Sequence, residues 1–246
     1  MLSQIALKDI NDIAIKAGKS VLKIYNQDFK ISYKDDNSPL SEADLISNEI
    51  ICKELAKFSL PILSEENKTL PYEQRKNWEY FWCVDPIDGT KEFINKNGEF
   101  TINIALVCKD TPVLGVVYAP ALELLYSAKK GESVFKNSVK LPLQRNDDFF
   151  KIVASKSHLN EQTKDFIDSI NDQAKRICFH GSSLKLCLVA SNEADIYPRL
   201  APTMEWDTAA ADAIVREVGK MTYSFDTQKP LVYNKENLLN PYFIVK

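Results

Sequence analysis

The chain is 246 residues long, 45% hydrophobic and 26% charged, and carries a formal net charge of −3 at pH 7. That length can bury one large core or two closely packed halves, and composition does not choose between them. A slightly acidic chain has no broad attraction for nucleic acid, so a polyanionic ligand must find a local positive site.

From the N-terminus, Ile5, Ile10, Ile13, Ala14, Ala17, Val21 and Ile24 recur at steps of three and four, which predicts a helix over Gln4 to Tyr25. Lys30 to Pro39 is polar and turn-like. Ser41, with Asp44 three positions later, resembles an N-cap and an acidic first turn, and opens a second helix ending near Phe58. Strand-like runs at Pro61 to Ser64 and Tyr80 to Val84 each deliver acids at their C-terminal ends, Glu65 and Glu66 from one, Asp85 and Asp88 from the other. The β-branched runs Thr101 to Cys108, Val113 to Tyr118 and Leu124 to Ala128 predict antiparallel strands of the larger sheet. Lys151 to Ala154 and Arg176 to Phe179 read as strands flanking a helix over Leu159 to Ile170. Ser182 to Ala190 and Thr208 to Val218 read as further helices. With no linker, repeat or low-complexity tract, these blocks predict an α/β (α+β) arrangement of layered helices and sheets. It is expected to be one domain over residues 1–246, with an N-terminal lobe of about 1–145 and a C-terminal lobe of about 146–246.

The chemistry is most legible in Asp85-Pro86-Ile87-Asp88-Gly89-Thr90. Carboxylates held at a strand end suit hard cations such as Mg²⁺, and the N–H groups of a Gly-Thr turn can receive phosphate oxygens. The reading is a metal-dependent phosphatase. Its plain alternative is an Asp-Gly surface turn with a solvated carboxylate. Two aspartates three apart cannot both point one way on a straight strand, so Pro86 and the turn must redirect Asp88. Glu65 can join them from the neighbouring strand end, although two glutamates after a strand are often only a solvated loop. Asp207, in Trp206-Asp207-Thr208-Ala209-Ala210, can hold a cation or simply cap an alanine-rich helix. Asp44 and Thr90 form a candidate pair for orienting water, with helix-dipole complementation as the plain reading of Asp44.

Cations and hydroxyls gather in Ser155-Lys156-Ser157-His158, Gly181-Ser182-Ser183-Leu184-Lys185 and Tyr197-Pro198-Arg199, where a second phosphate could be held. His158 and His180 read as polar packing residues, since nothing nearby completes a nitrogen or sulfur metal site. Cys52, Cys83, Cys108, Cys178 and Cys187 are odd in number and widely spread, which predicts buried free thiols and a reducing compartment. No signal-peptide pattern and no apolar run of ~18 residues is present, so a cytoplasmic protein without a transmembrane segment is expected.

Taken together, these motifs resemble the inositol monophosphatase superfamily of Mg²⁺-dependent, lithium-sensitive phosphatases. The likeness runs through Lys34 to Asp44, Leu63 to Glu66, Asp85 to Thr90, Gly181 to Lys185, Tyr197 to Arg199, Trp206 to Ala210, and Lys229-Pro230-Leu231 with Leu239-Asn240-Pro241. The G-S-S-L-K, Y-P-R and L-N-P stretches narrow it to the nucleotidase branch. The resemblance implies an αβαβα sandwich of the inositol monophosphatase and sugar phosphatase type. It also implies that Glu65, Asp85, the Ile87 carbonyl, Asp88 and Asp207 hold two or three Mg²⁺ ions. Gly89 and Thr90 match the phosphate-binding turn. Asp44 matches the acid that works with Thr90 on the nucleophilic water, with Glu65 assisting. Ser183, Lys185, Arg199 and Asp207 match substrate contacts. Two departures stand out: Ala211 and Asp212 occupy positions where relatives often have Gly and a small or apolar residue, and Lys156 stands where Arg is common.

The expected activity is release of the 3′-phosphate of adenosine 3′,5′-bisphosphate by direct attack of water, with the sulfated analogue as a second substrate. The expected partner is therefore a small nucleotide. Inositol monophosphatase or fructose 1,6-bisphosphatase activity is the alternative within enzymes. A non-catalytic nucleotide or metal sensor is the alternative outside them. A haloacid-dehalogenase-type phosphatase fits less well, because its nucleophile motif spaces the aspartates by one residue and here two intervene.

Overall fold

The computed structural model describes residues 1–27, 31–33, 39–145, 147–157, 159–171 and 174–246, with 31–33 and 39–41 described by backbone alone. The family-like stretch Lys34 to Ser38 and the candidate His158 therefore lie outside the described residues.

The chain opens with α1 (Leu7–Tyr25), whose Ile10, Ile13, Ala14, Ala17 and Val21 are buried as the helical spacing requires. The segment read as turn-like carries two short strands, β1 (Ile31–Tyr33) and β2 (Pro39–Ser41), paired antiparallel. β2 runs directly into α2 (Glu42–Leu55), and a 3₁₀ turn extends that helix to Phe58. There follow β3 (Ile62–Ser64), a one-turn helix α3 (Tyr72–Arg75), β4 (Tyr80–Asp88), a short helix α4 (Thr90–Ile94), β5 (Thr101–Cys108), β6 (Thr111–Ala119), β7 (Leu124–Lys129), β8 (Phe135–Lys136) and β9 (Val139–Lys140). The strands β3 to β9 form one seven-stranded sheet in sequence order, with β3 and β4 parallel and the other pairs antiparallel.

Both faces of this sheet are covered, which explains why its central strands are apolar at nearly every position. Trp82, Val84, Ile102, Ile104, Leu106, Leu114 and Val116 point to α1 and α2. Their neighbours Phe81, Cys83, Ala105, Val107, Val117 and Ala119 point to the other side. There they meet α6 (Leu184–Ala190) and α7 (Glu205–Glu217). Gly115 of β6 makes that close approach possible, because a Cβ at this position would stand 2.0 Å from the Ala210 carbonyl oxygen.

The remaining elements build a second sheet. β10 (Lys151–Ser155) pairs in parallel with β11 (Arg176–His180) across α5 (Glu161–Ser169). β12 (Tyr197–Arg199), β14 (Phe243–Val245) and β13 (Thr222–Ser224) form an antiparallel trio with β14 in the middle. A bridge between Ile152 and Ile196, with the Val153 N–H donating to the Ile196 carbonyl at 2.9 Å, joins the two groups. Ile167 of α5 packs with Ile152, Ala154, Ile196 and Ile244 on the outer face. The layers are thus helices, sheet, helices, sheet, helix, the sandwich the resemblance implied.

The unusual Asp212 is fully buried, and its charge is answered by Arg216 Nε and the Tyr233 hydroxyl, both at 2.9 Å. All five cysteines are free, and burial pushes the Cys83 and Cys187 thiols up, which makes them unreactive. No described helix is long and apolar enough to cross a membrane.

Candidate active site

The sequence places the strand end at Val84, but β4 continues to Asp88. Its register against β5 explains how. Asp85 pairs with Asn103 and Asp88 with Thr101, so three steps on β4 oppose two on β5. One extra residue is therefore bulged out at Pro86-Ile87, where the missing N–H of proline costs no ladder bond. Since the alternation of side chains has period two, this one-residue slip turns Asp88 to the side that Asp85 faces. Gly89 then takes φ +88°, a conformation that disfavours side chains, and α4 begins at Thr90.

These residues line a cavity of about 290 Å³. Glu65, Asp85, Ile87, Asp88, Gly89, Thr90 and Asp207 are all in its wall. Glu65 arrives from β3, its N–H donating to the Val84 carbonyl at 3.2 Å, so two parallel strand ends deliver their acids side by side. Asp207 comes from the opposite side, in the first turn of α7. Its Oδ2 accepts the Met204 N–H at 2.9 Å, so the capping and cavity-lining readings of this residue hold together. Asp85 Oδ1 likewise accepts the Ile87 N–H at 3.1 Å.

Burial, together with the proximity of the acids, is written into their proton affinities. Asp85 is raised well above the usual carboxylate range, first by burial and then by Glu65, Asp88, Asp207 and Asp44. Burial also raises Asp207, with Asp88 its largest charged neighbour, and pushes Asp88 up to about 6. Asp44 is buried in the first turn of α2, and its charge is felt at Asp85. As the side chains stand, no three Asp, Glu, His or Cys among the described residues form a ready-made chelate. The donor set is nevertheless carboxylate and carbonyl oxygen without nitrogen or sulfur, which suits Mg²⁺ and not zinc. A cation would relieve the repulsion that raises these groups.

The same cavity also holds two cations. Lys185 is 5% exposed and Arg199 9% exposed, both unusually buried for their type. Desolvation lowers Lys185 to about 8. Its ammonium donates to the Ser182 carbonyl and lies 5.5 Å from the centre of the Tyr197 ring. Arg199 Nη2 donates to the Pro202 carbonyl at 3.0 Å, while its buried Nε has no partner among the described residues.

Ser183 also lines the cavity, but its hydroxyl is bonded to Thr101 Oγ1 and Asn103 Oδ1, both at 2.8 Å. The Ser182 hydroxyl, next to it, is buried without a partner among the described residues. The family resemblance named Ser183 as a substrate contact and passed over Ser182. It also passed over Glu92, a buried cavity residue that accepts from the Ser157 hydroxyl at 2.5 Å, and Phe243 from the last strand. Glu92 stands in the first turn of α4, a five-residue helix too short for its pattern to show in the sequence. His180 Nδ1 sits 2.9 Å from Glu99 Oε1, and neither residue lines the cavity.

Three comparisons bear on this geometry. The family profile described as "Inositol monophosphatase family" matches residues 3–242. The 3′(2′),5′-bisphosphate nucleotidase CysQ of Escherichia coli (strain K12) is 38% identical over 246 residues, covering 97% of this chain and 98% of that protein. The protein of the same name from Buchnera aphidicola is 42% identical over 221 residues, covering 87% and 82%. Among solved structures, CysQ from Bacteroides thetaiotaomicron superposes with a TM-score of 0.89 at 43% identity, over 97% of this chain and 96% of that one. The Thermotoga maritima IMPase has a TM-score of 0.81 at 24% identity, over 98% and 91%, a likeness of fold.

Proposed function

This chain belongs to the inositol monophosphatase family, and on that premise we propose that it is a Mg²⁺-dependent 3′(2′),5′-bisphosphate nucleotidase. It converts adenosine 3′,5′-bisphosphate to AMP and phosphate, and takes the sulfated analogue as a second substrate. The observation that carries this reading is that one cavity holds a cluster of carboxylates together with two buried cations. A substrate with one phosphate needs only the carboxylates. A bisphosphorylated nucleotide uses both the carboxylates, through their cations, and the Lys185 and Arg199 side chains, which suit a second phosphate. The names of the two relatives described above point the same way.

Glu65, Asp85, Asp88, Asp207 and the Ile87 carbonyl would hold the ions, and five such donors around one cavity suit two or three of them. Bound there, Mg²⁺ supplies charge for the phosphoryl oxygens and acidity for water. The backbone amides of Gly89 and Thr90 take the oxygens of the reacting phosphate. Thr90 would orient the attacking water and pass its proton on to the Asp44 carboxylate, while a solvent water gives a proton to the departing 3′-oxygen. Because the carboxylates are occupied as ligands, none of them serves as a nucleophile. On this reading residues of about 1–145 supply most of the cation ligands and about 146–246 the nucleotide contacts, with Asp207 a cation ligand from the second part.

The test is phosphate release with Mg²⁺ on adenosine 3′,5′-bisphosphate, inositol 1-phosphate and fructose 1,6-bisphosphate side by side. The expected result is a kcat/KM highest for the nucleotide. Equal or better turnover of a sugar phosphate refutes the nucleotide assignment, and nucleotide binding without any release would make the chain a sensor.

A further inference from the structure

The L-N-P stretch near the C-terminus has no role in the reaction just described, yet Asn240 lies next to Asp207 of the acidic cluster. It is 4% exposed and holds the residues on either side of Asp207. Its side-chain amide donates to the Met204 carbonyl at 2.7 Å, the Thr208 hydroxyl at 3.0 Å and the Thr203 hydroxyl at 3.2 Å. Its own N–H donates to the Thr203 carbonyl at 2.8 Å. Met204 is also the residue whose N–H holds Asp207 Oδ2 at 2.9 Å. The chain of contact is therefore short: Asn240 fixes the Met204 peptide and Thr208, and these bracket the Asp207 carboxylate.

The rest of this segment reinforces the grip. The Glu205 N–H donates to the Leu238 carbonyl at 3.0 Å. The fully buried Glu205 carboxylate accepts from Asn234 N at 2.6 Å, Lys235 N at 3.0 Å and Lys235 Nζ at 2.6 Å. Arg75 of α3 anchors the far end through Asn234 Oδ1 at 2.9 Å and the Glu236 carbonyl at 2.8 Å. Residues 234–240 thus form a strap around the first turn of α7. Asn240 Oδ1 is buried without a partner among the described residues, a cost an apolar side chain would avoid. The amide is kept for what its N–H groups do.

We propose that Asn240 is a positioning residue for the cation site, locking the start of α7 so that Asp207 presents its carboxylate to the cavity in one orientation. The inference rests on the reading of Asp207 as a cation ligand. Partners of this kind, one shell behind a ligand, are typically worth roughly ten- to a hundred-fold in metal affinity.

The experiment is Mn²⁺ binding to the full-length chain without substrate, followed by the electron paramagnetic resonance of unbound Mn²⁺, with thermal unfolding measured in parallel. Asn240→Ala should bind Mn²⁺ roughly ten-fold or more weakly than the parent. Asn240→Leu, which keeps the volume and loses the donors, should do the same and decides the matter if the alanine variant does not fold. In an Asp207→Asn background, Asn240→Ala should cause no further loss, because its effect passes through Asp207. Unchanged Mn²⁺ affinity in the foldable variant, or losses that multiply in the double variant, would overturn the proposal. A parent protein that binds Mn²⁺ but releases no phosphate refutes the activity alone, whereas one that binds no Mn²⁺ refutes both.

Discussion

Replacing Asp88 by Asn should stabilise the cation-free protein near neutral pH while destroying its activity. Burial is the largest influence on this carboxyl. Lys185 and the Ser183 N–H oppose it, Glu92 and Glu65 add to it, and the balance moves the group from 3.8 to about 6. A carboxyl whose folded value lies above its unfolded one binds its proton more tightly when folded. Stability is then lost as pH rises from about 4 to about 6 and stays lost above that. At about 1.4 kcal/mol for each tenfold change in proton affinity, the rise from 3.8 to about 6 corresponds to about 3 kcal/mol. The variant has no charge to bury, and it also relieves Asp207, whose largest charged neighbour is Asp88. Urea unfolding in chelator should therefore find the parent losing about 3 kcal/mol more than Asp88→Asn between about pH 4 and about pH 7. Saturating Mg²⁺ should erase the advantage, since only the parent has the full ligand set and about 2.7 kcal/mol accrues at a hundred times Kd. Parallel pH profiles for the two proteins would refute the reasoning.

Asp85→Asn should keep the fold but lose roughly a hundred- to a thousand-fold or more in Mg²⁺-dependent phosphate release, the scale of removing one electrostatic clamp. Lys185→Met and Arg199→Met should each raise KM for the bisphosphorylated nucleotide by roughly ten- to a hundred-fold, as loss of a charged hydrogen bond does, and leave a single-phosphate substrate little changed in steady-state kinetics. Ser182→Ala should raise KM with little change in melting temperature. Ser183→Ala should lower that temperature by removing a hydroxyl bonded to Thr101 and Asn103. Gly115→Ala would drive a methyl into the Ala210 carbonyl, and calorimetry should show a loss of about 1–3 kcal/mol or more, about 2–4 °C for each kcal/mol.

What the chain disclosed before folding follows physical lines. α1 could be read because its apolar stripe is regular and one face meets a sheet. The strands β4 to β7 could be read as strands, and their apolar character on both faces is what cover by helices on each side requires. β12, β13 and β14 are three residues each and depend on one another across long sequence separations, so no local pattern announces them. β1 and β2 sit inside a polar stretch whose composition suggests only a turn.

At the site, the need to redirect Asp88 was evident from its spacing, and the bulge opposite Asn103 and Thr101 is the means. The resemblance pointed to Ser183, but that its hydroxyl is spent on Thr101 and Asn103 while that of Ser182 is not was not legible, because both are small, polar and adjacent. Neither was the service of Asn240 to Asp207, which spans 33 positions and exists only after the chain has wrapped around α7.

The central claim is that Glu65, Asp85, Asp88 and Asp207 share divalent cations in one cavity beside a bound phosphate. Anomalous diffraction from crystals of the protein grown with Mn²⁺ tests it most directly. The expected map has manganese peaks within direct bonding distance of these four carboxylates. Manganese peaks elsewhere, with the four carboxylates bound only to water and backbone, would contradict it.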